Sequence, residues 1–118
     1  MTELFAYKIL TGEQWATFRE EGVFHGAPVD LADGYIHLSA RDQVVGTLEK
    51  HFAGQDDLIL AMVDLAALGG AVRWEASRGG ALFPHIYGPL PMNAVTTKAK
   101  LRLDGTGRHV LPAGFSAP

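Results

Sequence analysis

The sequence predicts a single α+β domain in which a mixed or antiparallel sheet is flanked by two main helices. About five strand-like and two amphipathic helical segments are interleaved along 118 residues, without regular β-α-β units. The continuous apolar run at residues 58–63 is typical of a central strand that is buried on both faces. Three other strand-like segments alternate polar and apolar residues, which indicates one chemical face and one core face.

The N-terminal third predicts a strand, a capped helix and a loop. Residues 4–9 alternate as a strand and place Lys8 on the side away from the main core. Thr11 and Gln14 fit a capping box at the start of the first helix, and a glycine ends that helix. Residues 23–33 contain glycine and proline without a sustained period, so we expect an ordered loop.

A turn, a short strand and a helix follow in close succession. Alternation over residues 35–39 places Tyr35, His37 and Ser39 on one side of the strand. Ser39 is also expected to cap the second amphipathic helix, over residues 40–53. A lone histidine in a strand is more often a hydrogen-bonded structural residue than a catalyst, so His37 needs polar neighbours to acquire a chemical role.

Two later segments can supply those neighbours. Residues 72–76 and 83–90 both alternate like strands, and prolines limit the regular part of the second segment. Each residue by itself has a structural explanation, but convergence of the segments in a cleft would create a site. The polar side chains that they add are Arg73, Glu75, His85 and Tyr87.

The C-terminal part predicts a last strand and an irregular tail. Residues 95–103 alternate cleanly, with outward cations that are typical of a solvated edge strand. Glycine and proline dominate from residue 104 onward. We therefore expect one domain over residues 1–103 and an irregular tail over residues 104–118.

Composition excludes several functional classes. A formal net charge of -3 argues against nonspecific nucleic-acid binding, and the absence of cysteine excludes disulfides and thiolate chemistry. The apolar runs are too short to span a membrane, and the N-terminus lacks the pattern of a signal peptide. These features predict a cytoplasmic protein with no membrane partner, and they leave its oligomeric state open.

The chemical inventory of the predicted cleft suits a nucleotide or another phosphorylated ligand. Histidine titrates near neutrality, glutamate can stabilise developing positive charge, and arginine binds phosphate bidentately. Neither an HExxH nor an HxH motif is present, so we expect no metal, although two histidines and a glutamate could serve as ligands. Ser39 has no nucleophile-elbow signature. The candidate catalytic residues are His37, Glu75 and His85, and the candidate ligand-binding residues are Lys8, Tyr35, Ser39, Arg73 and Tyr87.

Three motifs carry a resemblance to a known family. Gly34-Tyr35-Ile36-His37-Leu38-Ser39, Trp74-Glu75 and Phe83-Pro84-His85-Ile86-Tyr87-Gly88-Pro89-Leu90 resemble the bacterial and plant family known as domain of unknown function 952. The similarity runs over about residues 5–103. That family has no established biochemical role, so the resemblance leaves the function open.

The family is in turn similar to the ADP-ribosyltransferase superfamily, and in particular to RNA 2'-phosphotransferase. This resemblance implies a split sheet that opens into an NAD-binding cleft, with His37 at the ribose or phosphates of a bound nucleotide. It also implies a first-strand cation, which here is Lys8, and an acidic residue, for which Glu75 and the segment of His85 and Tyr87 compete. The expected function is therefore binding of an NAD-like or phosphorylated ligand, with ADP-ribosyl or phosphate transfer as its chemistry. The alternative is a non-enzymatic module that binds a protein or small ligand through residues 83–90.

Overall fold

The computed structural model describes residues 3–112, apart from the side chain of Arg78. Short 3-10 turns join several of the strands and helices, and one of them, Arg41–Gln43, leads directly into the third helix. The elements follow in the order β1 (Phe5–Thr11), α1 (Gly12–Glu21), β2 (Val23–Phe24), α2 (Pro28–Asp33), β3 (Ile36–His37), α3 (Val44–His51), β4 (Leu58–Asp64), β5 (Val72–Ala76), β6 (Leu82–Ile86), β7 (Leu90–Pro91), β8 (Val95–Leu103) and β9 (His109–Val110).

The described strands form separate antiparallel sheets, as expected for an α+β domain. The largest has the order β1-β4-β8-β9, so the apolar strand β4 is central, as the sequence predicts. A three-stranded sheet has the order β3-β6-β5, and β2 pairs with β7. Two backbone hydrogen bonds between Tyr7 and Ser39, of 2.8 and 2.9 Å, join β1 to the segment that follows β3. The three-stranded sheet is thereby fixed against the edge of the large sheet.

Two apolar clusters hold the helices against opposite sides of β1. Helix α1 buries Trp15 and Phe18 on the side of Ala6 and Leu10, and the two aromatic rings meet edge to face at 5.6 Å. Helix α3 packs on the side of Tyr7 and Ile9. Truncation of a fully buried phenylalanine such as Phe18 costs about 3–5 kcal/mol of stability.

The predicted capping box of α1 is confirmed, whereas the predicted loop at residues 23–33 is wrong. The Thr11 hydroxyl accepts from the Gln14 amide at 3.0 Å, and the Gln14 side chain accepts from the Thr11 amide at 2.9 Å. Residues 23–33 contain β2 and the helix α2. Pro28 begins α2 and Asp30 accepts a hydrogen bond from the backbone of Ala27, because a fixed proline φ and an acidic first turn both favour a helix start.

The start of the second predicted helix also differs from expectation. Ala40, rather than Ser39, occupies the cap position of the 3-10 turn that precedes α3, and the side chain of Gln43 accepts from the Ala40 amide at 2.9 Å. The Ser39 hydroxyl instead lies 3.0 Å from the Thr47 hydroxyl. A side chain reaching back from the third position of the turn thus replaces the predicted serine cap.

The segment after residue 103 is partly regular rather than wholly irregular. Strand β9 pairs with the end of β8, and the Asp104 carboxylate accepts from the amides of Thr106 and Arg108 in the connecting turn. The hydrogen bond from the Thr106 hydroxyl, followed by those from the two amides, lowers the pKa of Asp104. Residues 113–118 of the predicted tail lie outside the described residues. Within residues 3–112, no helix has the length and apolar character needed to cross a membrane.

Candidate functional site

The three-stranded sheet gathers polar and aromatic side chains on one face. Its register pairs His37 of β3 with His85 of β6, and His85 with Arg73 of β5. Because side chains alternate along strands, Glu75 lies on this same face while Trp74 lies on the opposite, core-packed face. We call the group that meets here the sheet-face cluster: Tyr35, His37, Glu75, His85 and Tyr87.

Glu75 is the hub of one half of the cluster. Its Oε1 lies 2.7 Å from Nδ1 of His85 and accepts from the Tyr87 hydroxyl at 2.8 Å, while its Oε2 lies 3.1 Å from the same hydroxyl. The hydrogen bond from His85, followed by that from Tyr87, lowers the pKa of Glu75, and the same carboxylate raises the pKa of Tyr87. An ionised carboxylate only accepts hydrogen bonds, so Nδ1 of His85 carries a hydrogen.

The second nitrogen of His85 is left without a partner. His85 is only 2% exposed, and its Nε2 is buried with no hydrogen-bond partner among the described residues. With Nδ1 protonated, the neutral ring presents a lone pair at Nε2. The ring of Tyr35 covers His85 in a stacked arrangement, with the centroids 4.1 Å apart. A buried acceptor without a donor costs about 1–3 kcal/mol, so the arrangement favours a ligand or water that donates to Nε2.

His37 has the opposite arrangement, because both of its ring nitrogens face carboxylates. Nδ1 lies 2.6 Å from Oδ1 of Asp30, and Nε2 lies 2.9 Å from Oδ2 of Asp33. Since carboxylates only accept, both contacts are satisfied together when the ring is doubly protonated. Helix α2 supplies both aspartates, so its C-terminal half builds the surroundings of His37.

Lys8 lies elsewhere than the sequence predicts. It is 6% exposed on the same side of β1 as Ala6 and Leu10, so the prediction that it lies away from the main core is wrong. Its ammonium group lies 3.2 and 3.0 Å from the Asp30 carboxylate oxygens and 2.9 Å from the carbonyl oxygen of His37. A buried carboxylate makes this position tolerable for a lysine, because it neutralises the charge.

Asp30 is the residue of the candidate site that the sequence interpretation missed. Burial by itself would raise the pKa of Asp30, but the charge of Lys8 and hydrogen bonds from His37 and Ala27 outweigh burial and lower it. Burial lowers the pKa of Lys8, and the Asp30 carboxylate opposes that change. Proline followed two residues later by aspartate is a helix-start signal, and recognising it would have placed Asp30 in a folded element.

Two predicted ligand-binding residues lie at the margins of the cluster. Ser39 is buried, and its hydroxyl is bonded to Thr47 rather than to the rings. Arg73 is exposed, and its guanidinium carbon lies 5.4 Å from the centre of the Tyr87 ring. The cluster therefore unites five of the eight predicted residues, with Arg73 at its edge.

A cavity of about 510 Å³ opens beside His37. It is lined by polar and apolar groups from β1, α1, α2, α3 and the end of β5, and it shares His37 with the sheet-face cluster. The lining residues are Lys8, Ile9, Thr11, Gln14, Ala27, Pro28, Val29, Asp33, His37, Thr47, His51, Phe52 and Ser77. A larger cavity of about 610 Å³ lies between α3 and the β8–β9 turn, and it contains none of the predicted site residues.

The described residues provide no group of three or more histidine, cysteine, aspartate or glutamate side chains arranged to hold a metal. His37, His85 and Glu75 are close neighbours, but the two imidazoles direct nitrogens to different carboxylates. Hydrogen bonding within the protein therefore accounts for their arrangement.

A protein-family model covers most of the chain, including the three sequence motifs. Residues 9–98 match the family described as protein of unknown function (DUF952). The chain belongs to this DUF952 family. The matched region includes the strands that carry His37, Glu75 and His85. Among curated proteins there is no significant match.

Solved structures of a Caulobacter crescentus protein, CC0527, share the fold. Its crystal structure is 48% identical with a TM-score of 0.86, covering 90% of this chain and 93% of that chain. A double-mutant crystal structure of the same protein gives 46% identity and a TM-score of 0.85, with the same coverage. Its solution NMR structure gives 48% identity and a TM-score of 0.81, covering 90% of this chain and 91% of that chain. The arrangement of sheets is therefore shared with CC0527.

Proposed function

We propose that this DUF952 domain binds a phosphate-bearing, NAD-like nucleotide in the cavity beside His37. One observation carries the proposal: three strands bring His37, Glu75 and His85 together on one face, and His37 also lines the cavity. The cavity would hold the body of the ligand, and the sheet-face cluster would contact its reactive end.

The cavity has the dimensions and lining of a small-molecule site. Its volume falls within the range of about 300–1,000 Å³ that is usual for such sites. Thr11, Gln14 and Thr47 supply hydrogen-bonding groups, and Val29 and Phe52 supply apolar surface. This combination suits a nucleotide, which has a flat apolar base and a polar sugar-phosphate.

The charges of the site set limits on how phosphate would bind. The ammonium of Lys8 has three hydrogen-bond donors, and the two Asp30 oxygens and the His37 carbonyl provide an acceptor for each of them. Lys8 therefore has no donor left for phosphate, and a phosphate would have to take over Nε2 of His37 from the exposed Asp33 carboxylate. The exposed Arg73 is available at the edge of the cluster. The resemblance to ADP-ribosyltransferases, with a sheet divided into separate parts, supports the choice of an NAD-like ligand.

Transfer chemistry would depend on Glu75 and His85. Cleavage of the ribose–nicotinamide bond leaves its electron pair on nicotinamide and positive charge on the ribose, which the Glu75 carboxylate would stabilise. The oxygen of an acceptor hydroxyl would form the new bond to the ribose carbon as it loses its proton. Nε2 of His85 would take that proton once the buried ring is opened to the ligand, because Nδ1 is already engaged by Glu75. Both groups lie on adjacent strands, so their separation is fixed by the sheet.

The test is a thermal-shift and calorimetry screen with NAD, ADP-ribose and 2'-phosphorylated RNA. We expect at least one of them to stabilise the wild-type protein and to give a saturable heat of binding. His37→Ala should lose that response while keeping a folded circular-dichroism spectrum, and His25→Ala, at an exposed histidine, should retain it. The absence of a response to all three ligands would remove the proposal.

A non-enzymatic binding module is the second candidate, because apolar side chains are exposed beside the cluster. Tyr87 is 43% exposed and Leu82 is 55% exposed, at opposite ends of the β6 segment. In this case Tyr87→Ala would weaken partner binding, while His37→Ala and Glu75→Ala would leave it unchanged. Under the nucleotide hypothesis, His37→Ala and Glu75→Ala would instead weaken ligand binding more than Tyr87→Ala does.

A further inference from the structure

The carboxylate of Asp33 contacts Nε2 of His37, and both residues line the cavity. Asp33 is the last residue of α2, its side chain is 46% exposed, and it lines the cavity together with His37. Its Oδ2 lies 2.9 Å from Nε2 of His37. This carboxylate therefore holds the position that an acceptor group of a bound molecule would need in order to reach His37.

Asp33 and Asp30 hold His37 very differently. The Asp30 carboxylate is buried and accepts from Lys8, the amide of Ala27, and both the amide and ring of His37. Among the described residues, the Asp33 carboxylate has Nε2 of His37 as its polar partner. An exposed ion pair of this kind contributes little, and a negative charge at a helix C-terminus is unfavourable. Asp30 is thus a fixed part of the site, whereas Asp33 is held by one exchangeable contact.

We propose that Asp33 is an internal substitute for an anionic ligand group, which displaces it from Nε2 of His37. Lys8 carries one positive charge, and His37 carries a second when both of its carboxylate-facing nitrogens bear hydrogens. Asp30 and Asp33 then balance them with two negative charges. When Asp33 moves away, the remaining three groups carry one net positive charge at the cavity wall. An incoming phosphate or carboxylate restores the balance and accepts the vacated hydrogen bond.

This inference rests on the proposed function, in which the cavity is a ligand site, and it specifies the group that His37 recognises. It implies competition, because each ligand anion must first displace the Asp33 carboxylate. Removal of that carboxylate should strengthen anion binding by about fivefold, the ratio that corresponds to the upper strength of an exposed ion pair. A ligand group that only donates hydrogen bonds would gain nothing from the same change.

The experiment is a titration with inorganic phosphate and with pyrophosphate at pH 7 and constant ionic strength. The ring nitrogens of His37 are followed by two-dimensional ¹⁵N NMR in the wild type, in Asp33→Ala and in the control Asp42→Ala. Asp42 is an exposed carboxylate on the turn before α3, so its removal changes the net charge by the same amount. Asp33→Asn provides a second variant that retains the side-chain shape if Asp33→Ala fails to fold.

We expect Asp33→Ala to bind phosphate at His37 about fivefold more tightly than the wild type and Asp42→Ala do. Asp33→Ala combined with His37→Ala should lose this binding, which calorimetry with phosphate measures because the observed ring is then absent. The inference would be overturned if the wild type, Asp33→Ala and Asp42→Ala bound phosphate with equal affinity. It would also be overturned if Asp33→Ala and Asp42→Ala gained affinity equally. If phosphate binds at His37 but NAD gives no response, only the NAD-like identity of the ligand in the proposed function is ruled out. NAD binding without the Asp33 effect would overturn only the inference.

Discussion

His37 and His85 are paired across neighbouring strands on the same face, yet their surroundings are opposite. The His37 side chain is 29% exposed, and both of its nitrogens contact carboxylates. His85 is almost fully buried, with one nitrogen on Glu75 and the other without a partner in the described part of the chain. The comparison shows that strand position decides where an imidazole lies, whereas the neighbouring elements decide what it can do.

The source of the carboxylates explains the difference. Helix α2 brings two aspartates to His37 and connects it to the buried Lys8, which creates a charge-balanced network at the cavity. Strand β5 brings a single glutamate to His85, and the ring of Tyr35 lies against both imidazoles. The His37 half of the site is therefore enclosed by carboxylates, whereas the His85 half keeps a nitrogen without a partner among the described residues.

The largest expected effect comes from breaking the network below His37. Asp30→Asn should lower the free energy of unfolding by about 3 kcal/mol, because removal of one member of a buried pair leaves an uncompensated charge on Lys8. Urea denaturation at pH 7 measures this loss. Asp33→Asn, at the exposed end of the same network, should change stability by about 1 kcal/mol or less. Equal losses in the two variants would contradict the distinction between a fixed and an exchangeable aspartate.

Acid should reduce the difference in the free energy of unfolding between the wild type and Asp30→Asn. The pKa of Asp30 in the folded protein lies below the ordinary value of 3.8, so its ionised form contributes stability above that pH. This contribution is lost as the pH falls through the lower, folded-state pKa. The difference between the two unfolding free energies should therefore shrink as the pH falls below about 4. A difference that persists unchanged at low pH would contradict the role given to the ionised carboxylate.

A smaller effect is expected at the His85 half. Glu75→Gln replaces the ionised acceptor of His85 by a neutral amide, so the Nδ1 hydrogen loses its strongest partner. The ¹⁵N spectrum of His85 should then show a mixture of the two neutral tautomers instead of one, while His37 keeps its signals. Glu20→Gln, at an exposed position of α1, is the matched control and should alter neither histidine. Equal changes at both rings would contradict the independence of the two halves.

The smallest effect is expected from Tyr87→Phe. The change removes the hydroxyl that donates to Glu75 but keeps the aromatic ring beside Tyr35 and Arg73. The single-tautomer signal of His85 should persist, because its own hydrogen bond to Glu75 remains. The pKa of Glu75 should rise toward its ordinary value, since one of the two hydrogen bonds that lower it is lost. Carboxyl ¹³C titration measures that change, and an unchanged Glu75 pKa would contradict the assigned role of the hydroxyl.

The alternation of polar and apolar residues was sufficient to predict the strand segments that carry the cluster. Alternation placed Glu75 with Arg73, and His85 with Tyr87, each pair on one side of its own strand. The antiparallel pairing of β5 with β6 brings the two sides together. Alternation gave the wrong surroundings for Lys8. The two-residue period of a strand assigns a side chain to one side of the strand, but it does not reveal whether a buried partner lies on that side. That partner, Asp30, lies 22 residues later in a segment with too short a periodic pattern to predict a helix.

The sequence alone was enough for the α+β class, the central position of the apolar strand β4 and the polar side of each strand segment that carries His37, Glu75 or His85. These properties follow from the two-residue period of strands and from the burial of apolar runs, which are local consequences of backbone geometry. Only the tertiary structure decided that α2 would neutralise Lys8 and surround His37 with carboxylates, while His85 would keep a buried, unpaired nitrogen. Electrostatic environment depends on groups that are distant along the chain and close in space, so no local pattern specifies it.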